Sequence, residues 1–276
     1  MQNVDDAIQQ LAKDMNSKMG SNESIDTLKG FIAEYWQADT FNINAALKGS
    51  SSRATIERST KTASVDVSTN FGKNYSMKYY ATGAQSAKAQ ATNVIQAYYS
   101  YISKSKSEQP MSLQEWLIKN NYPEDMQQLL VSIYQGQGRI IPTDQLEEAI
   151  KFLERKIAEE SAKEGSNRAA LLAGYKETLN NLLDRIKDGN GVESIPLTKS
   201  ESEALAALCK AGGFKPEDYG FVLSELITSE YILQQRLQAG VTSAVITMVL
   251  QIAPEIYKAI DYLIKNEVLM SFHWNT

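Results

Sequence analysis

The sequence predicts a mainly α-helical protein with a small β-hairpin or sheet in its N-terminal third. It reads as an α/β module over residues 1–108 followed by an all-helical module over residues 109–276. Three observations carry that reading. Apolar residues recur at three- and four-residue spacing through most of the chain, between capping residues and glycine stops. One stretch, Ser64 to Tyr80, alternates instead with period two around a Gly/Asn cluster. The polar run Ser103-Lys-Ser-Lys-Ser-Glu-Gln-Pro110 ends in proline and reads as a linker.

The elements follow in order. Val4, Ile8, Leu11 and Met15 place a helix over Asp5 to Met19, and Gly20-Ser-Asn stops it. Ser24 caps a second helix through Leu28, Ile32 and Tyr35 to Trp36, with Ala38 to Leu47 as its continuation. Lys48-Gly-Ser-Ser-Ser-Arg53 is a polar loop, either flexible or able to cradle a phosphate through its backbone N–H groups. Ala54 to Arg58 is a short strand or a turn.

In the hairpin, Val65 and Val67 share one face with Tyr75, Met77 and Tyr79. A turn centred on Gly72 pairs Val65 with Tyr79, Val67 with Met77 and Asp66 with Lys78. Thr82-Gly83 leads into a helix from Ala84 to Ser103 whose small residues (Ala84, Ala87, Ala91, Ala97) allow close packing on a sheet.

Beyond the linker, Ser112-Leu-Gln-Glu115 is a capping box, and Met126 to Tyr134 reads as a short helix. Gly136-Gln-Gly-Arg-Ile-Ile-Pro142 reads as a loop. It is not a phosphate loop, because no Gly-Lys-Ser/Thr follows. Thr143 caps a charged helix to Lys163, and Ser166 or Asn167 caps its partner to Lys187. Together they form an antiparallel helical hairpin over 144–187 that could dock a protein partner, or could simply be solvated. Thr198 with Glu201 opens a further helix, and others span Leu223 to Gln238, Thr242 to Ile252 and Glu255 to Asn266.

Composition narrows the chemistry. The 276 residues are 43% hydrophobic and 22% charged, which suits a globular core. The one cysteine, Cys209, excludes an internal disulfide and a thiolate zinc site and fits a reducing cytoplasm. The one histidine, His273, excludes a Ser-His-Asp triad and a multi-histidine metal centre. Any catalysis falls to carboxylates, Lys, Ser or Tyr, with or without Mg²⁺.

The opening Met-Gln-Asn-Val-Asp-Asp carries no apolar run and does not read as a secretory signal. Ala239 to Ala253 is too short for the roughly twenty apolar residues of a membrane span, so membrane insertion is expected only if the native chain is longer. The tail Ser271-Phe-His-Trp-Asn-Thr is not an obvious domain ending, which leaves open that the chain is a fragment.

Charge is distributed unevenly. The net charge is −5, yet Lys48 to Lys106 holds nine basic residues against Glu57 and Asp66, so that segment is +7 and the remainder −12. A basic block in an acidic chain points to a polyanionic partner, DNA or another nucleic acid. Lys48, Arg53, Arg58, Lys61 and Lys73 are the candidate phosphate contacts, and Phe71, Tyr75, Tyr79 and Tyr80 the candidate stacking rings. The alternative is that Tyr75 and Tyr79 are core and the lysines only solvate the surface.

The pattern Val65-Asp66-Val67 on one strand and Ser76-Met77-Lys78 on the next, preceded by a helix carrying Glu34, resembles the PD-(D/E)xK nuclease superfamily over residues 24–105. The resemblance implies catalytic residues Asp66, Lys78 and Glu34, with Mg²⁺ held by Asp66, Glu34 and Glu57. Lys78 would face the scissile phosphate. The helix bearing Gln85, Lys88 and Gln90 suits the family order of helix, strand, strand, helix. Ser76 stands where the family carries an acid, so the core is divergent. An Asp and a Lys facing across two strands also make an ordinary surface ion pair, giving about 0.2–1 kcal/mol. The whole chain also looks like proteins of bacterial or mobile-element origin. The alternative function is a non-enzymatic helical scaffold or binding protein of a phage or mobile-element assembly.

Overall fold

A computed structural model describes residues 4–59, 63–107, 109–122, 128–130, 132–163 and 168–221. The described residues are mainly helical and surround one small sheet. Five strands lie in the order β1 (Ala54–Ile56), β2 (Val67–Thr69), β3 (Asn74–Met77), β4 (Gly138–Ile140), β5 (Leu182–Leu183). β1, β2 and β3 form an antiparallel meander, whereas β3–β4 and β4–β5 pair in parallel. Parallel neighbours need long crossovers. The chain between β3 and β4 includes α3 (Gly83–Gln90), α4 (Val94–Lys104) and α5 (Leu113–Lys119), and that between β4 and β5 is the hairpin of α6 (Leu146–Ser161) and α7 (Arg168–Asn180).

Two helical layers sandwich the sheet. On one face Val67, Tyr75, Met77 and Ile140 pack into a core with α1 (Val4–Asn16), α2 (Ile25–Leu47) and α8 (Lys199–Lys210), through residues such as Leu11, Ile32, Trp36, Phe41 and Leu205. A second core joins Ile141 and Leu182 to Ala87 of α3 and to Ala149 and Leu153 of α6. A smaller cluster builds Val94 and Ala97 of α4 against Trp116 and Leu117 of α5. The first face is thereby removed from water, and the second is covered around β4 and β5, while Thr55 and Asn74 at the meander end stay exposed.

Local signals set most helix starts. The side chain of Ser24 accepts the Thr27 N–H to open α2, and Ser112/Glu115 and Thr198/Glu201 form reciprocal capping boxes for α5 and α8.

Four expectations are corrected. The region beyond residue 108 is not all-helical, because β4 and β5 complete the sheet begun by β1–β3. Residues 84–103 are not one helix. The chain breaks after Gln90, and Asn93 restarts it as α4 with a capping box to Gln96. α7 stops at Asn180 instead of running to Lys187, since Leu182 and Leu183 pair with Arg139 and Ile140. Thr143 does not cap α6; its hydroxyl donates to Asp184 Oδ2 at 2.9 Å, and the helix begins at Leu146 after a single 3₁₀ turn.

The hairpin register is also shifted. Val67 pairs with Tyr75 and Ser68 with Asn74, so the turn centres on Phe71, and Asp66 donates its N–H to Tyr75 O instead of pairing with Lys78. Gly72, at φ +80°, closes a β-turn by donating its N–H to Thr69 O at 3.2 Å. A shift of two residues in pairing preserves every face assignment, because side chains alternate with period two. Among the described residues no helix is long and apolar enough to cross a membrane. The apolar stretch 242–252 and His273 lie outside the described residues.

Candidate active site

Three of the expected residues meet at one end of the sheet. Asp66 enters β2, with its N–H on Tyr75 O (3.0 Å) and its carbonyl accepting Glu57 N–H (2.9 Å). Its Oδ2 accepts the Met77 N–H at 2.7 Å and lies 3.6 Å from Lys78 Nζ. Lys78 leaves β3 and extends the parallel pairing by donating its N–H to Ile140 O at 3.0 Å. Its ammonium is held from three sides: it donates to Met77 O at 2.9 Å, faces Asp66, and sits 4.7 Å from the centre of the Tyr134 ring. Burial works to lower the Lys78 pKa, but Tyr134, Asp66 and Tyr80 outweigh it and hold the group above its usual value. The lysine therefore stays charged.

Glu34 reaches the same place from α2. Burial first, and then the Asp66 carboxylate, push its pKa up to about 8, while Lys78 and Lys18 pull the other way. Near neutral pH Glu34 is thus mostly protonated beside an ionised pair. Asp66 is near enough to act on Glu34 electrostatically; carboxyl oxygens are hard donors, and Mg²⁺ is commonly held by one or two carboxylates together with water and substrate phosphate. Asp66 and Glu34 fit that need. Among the described residues no group of three or more acids, histidines or cysteines is arranged to hold a metal.

Ser76 is turned to another purpose. It is fully buried, and its hydroxyl donates to Gln90 Oε1 at 2.7 Å. Gln90 Nε2 in turn donates to Ser76 O (3.0 Å) and Ile140 O (3.2 Å). The position where the family carries an acid is here a clasp between β3, β4 and α3. Glu57 is exposed on the edge strand, where its Oε1 accepts the Ser68 hydroxyl at 2.6 Å, and it does not figure among the charges that act on Glu34.

The basic residues divide between the two ends of the sheet. Arg58 lies at the Asp66 end, bonded to Asp14 Oδ1 at 2.8 Å, and Lys18 is close enough to act on Glu34. Lys48 and Arg53 lie at the opposite, turn end. Lys48 donates to Gly191 O, and Arg53 donates to Ser50 O (2.8 Å) and Ser52 O (2.6 Å). Lys73 is exposed in the turn itself. Lys61 lies outside the described residues. Of the candidate stacking rings, Tyr75 and Tyr79 are core, Phe71 packs against that core, and Tyr80 is 48% exposed.

Residues from beyond the expected linker complete the site. Tyr134 backs Lys78, and Arg139 of β4 backs Tyr134, with its guanidinium 5.8 Å from that ring. Arg139 is fully buried and donates to Gln137 O (3.1 Å), Ser132 Oγ (2.7 Å), Gln90 O and Glu177 Oε2. Burial draws its pKa down and Glu177 supports its charge. An arginine in the run Gly136 to Pro142 was legible only as a loop residue, because β4 has too few residues to show a period. Beyond Lys78 opens a cavity of about 530 Å³, bounded by β3, α3, α4 and α5.

No protein-family model matches the chain, and comparisons with curated proteins and with solved structures returned no match.

Proposed function

We propose that this protein acts on DNA through a divergent PD-(D/E)xK-like core that hydrolyses phosphodiester bonds. The observation that carries the reading is the convergence of Asp66, Lys78 and Glu34, from three separate elements, at one end of the sheet. The topology supports it: a helix, an antiparallel three-strand meander, then a helical crossover to a parallel fourth strand. Asp66 and Glu34 are the donors that would hold Mg²⁺, whose chemistry there is charge neutralisation and activation of water. Lys78, kept charged by its neighbours, balances the negative charge that builds on the phosphate as the P–O bond breaks. Tyr134 backs that lysine, and Arg139 behind it acts as a positioning residue.

The test is plasmid nicking in Mg²⁺ by the wild type beside Asp66→Ala and Lys78→Ala. The expected result is conversion of supercoiled to open-circular DNA by the wild type alone. Equal cutting by all three ends the reading.

The clasp at Ser76 favours a second reading, a non-enzymatic binding or scaffold protein of a phage or mobile-element assembly. It predicts no turnover by any form, with self-association or partner binding visible in sizing experiments.

A further inference from the structure

The cavity beside Lys78 has a mixed lining. Exposed Tyr80 and half-buried Tyr101 present rings to it above the buried Trp116 and Tyr134, and Lys78 and Lys104 supply positive charge. None of the described residues lining it is acidic. Lys104 is exposed and makes no ion pair among the described residues. Tyr80 is 48% exposed, two residues from the half-buried Lys78. The volume of about 530 Å³ falls within the roughly 300–1,000 Å³ typical of small-ligand sites.

We propose that this cavity receives one unpaired nucleotide of a DNA strand, with the base against Tyr80 and Tyr101 and the phosphates between Lys104 and Lys78. The inference rests on the phosphodiesterase reading for which phosphate is cut, but the binding itself does not. Aromatic faces beside lysines are the chemistry by which single strands are held without regard to sequence: each base offers a π-face and each phosphate a charge. A paired base offers neither ring face, since it is stacked inside the duplex and must leave the stack to enter such a cavity. Lys78 belongs both to the cavity and to the pair with Asp66. A nucleotide seated there therefore presents its phosphate at the carboxylate end of the sheet. The substrate class that follows is a strand end, gap or unwound segment, not intact duplex.

Binding is read by fluorescence anisotropy in excess chelator, where no hydrolysis proceeds, with a labelled short oligothymidine and a fully paired duplex of the same length. The wild type is expected to bind the single strand about tenfold more tightly than the duplex, and Tyr80→Ala and Lys104→Glu are expected to remove most of that margin. Both side chains are exposed, and unchanged thermal melting of the two variants confirms that folding is intact. Thymidine monophosphate should compete for the single-strand site in the wild type and not in Tyr80→Ala. Equal affinity for single strand and duplex, or a preference untouched by both substitutions, overturns the inference. Single-strand preference without nicking would leave the cavity assignment standing and remove the hydrolytic reading. Nicking without single-strand preference would do the reverse.

Discussion

Arg139 offers the sharpest quantitative test of the interior. Its side chain is fully buried, and of its four hydrogen-bond partners only Glu177 carries charge. Glu177→Gln keeps the size and the acceptor oxygen but removes that charge, leaving a guanidinium among neutral acceptors. Breaking a buried ion pair from one side costs about 3–5 kcal/mol when the remaining charge is sealed from water. Here the Glu177 side chain is 26% exposed, so water can partly replace it, and the expected loss is about 2–3 kcal/mol. Arg139→Met removes the charge, but it leaves the Gln137 carbonyl short of a donor, while Gln90 O keeps only the Ser132 hydroxyl. That single change is expected to cost about 1–3 kcal/mol. With the arginine gone, Glu177→Gln should cost little more, so the double-mutant cycle should show coupling of about 2 kcal/mol. Urea denaturation of the four proteins measures all of these. If Glu177→Gln unfolds within about 0.5 kcal/mol of the wild type, the sealed arginine is refuted.

Two further outcomes follow from the same packing. Asp39 is buried beside Asp14, its Oδ2 has no hydrogen-bond partner, and burial first and Asp14 second raise its pKa well above 3.8, against the pull of Arg58. A raised carboxyl contributes its stability below the unfolded value and loses it as pH climbs through the folded one, so Asp39→Asn should gain on the wild type as pH rises above about 4; parallel melting curves at every pH would contradict this. A Cβ at Gly83 would overlap Gln145 O and approach Glu148 Cβ (2.9 Å) and Ala149 N (3.0 Å) at the start of α6. Gly83→Ala must therefore push α3 off α6 and should cost about 1–3 kcal/mol in denaturant, with no change if the two helices are not in contact.

What could be read from the chain in advance follows from how far each signal reaches. The caps at Ser24, Ser112 and Thr198 are local bargains between neighbours in sequence, and all three form as expected. The hairpin faces were legible because alternation states which side of a strand is buried. The register was not, because alternation is unchanged by a shift of two. Asn93 with Gln96 carries the same capping signature as Ser112 with Glu115, and attention to it would have divided α3 from α4. β4 and β5 were illegible for a different reason. With three and two residues they have no period to detect, and Leu182 continues the apolar spacing of α7 until pairing with β4 overrides it. At the candidate site, the sequence brings Asp66, Lys78 and Glu34 into view, but not Tyr134 or Arg139, which reach the site only because β4 lies beside β3.

The serine clasp makes the divergence of this site testable. Ser76 lies on β3 between Tyr75, whose carbonyl accepts the Asp66 N–H, and Met77, whose N–H bonds Asp66 Oδ2, and its hydroxyl is committed to Gln90 Oε1. Ser76→Asp would restore the acid that the family resemblance calls for, yet it would place a carboxylate against that oxygen. Gln90 cannot turn its amide to help, because Nε2 already serves Ser76 O and Ile140 O. The new carboxylate would also sit one residue from Met77, whose N–H holds Asp66, and a like charge in a buried position is expected to cost about 2–4 kcal/mol without metal. A divalent cation held between the acids would relieve that repulsion. Thermal melts should therefore show a low transition for Ser76→Asp that rises with Mg²⁺ by more than the wild type does. A variant that melts with the wild type in chelator would mean that position 76 is not sealed by Gln90. A destabilised variant deaf to Mg²⁺ would mean that Asp66 and Lys78 are an ion pair and nothing more.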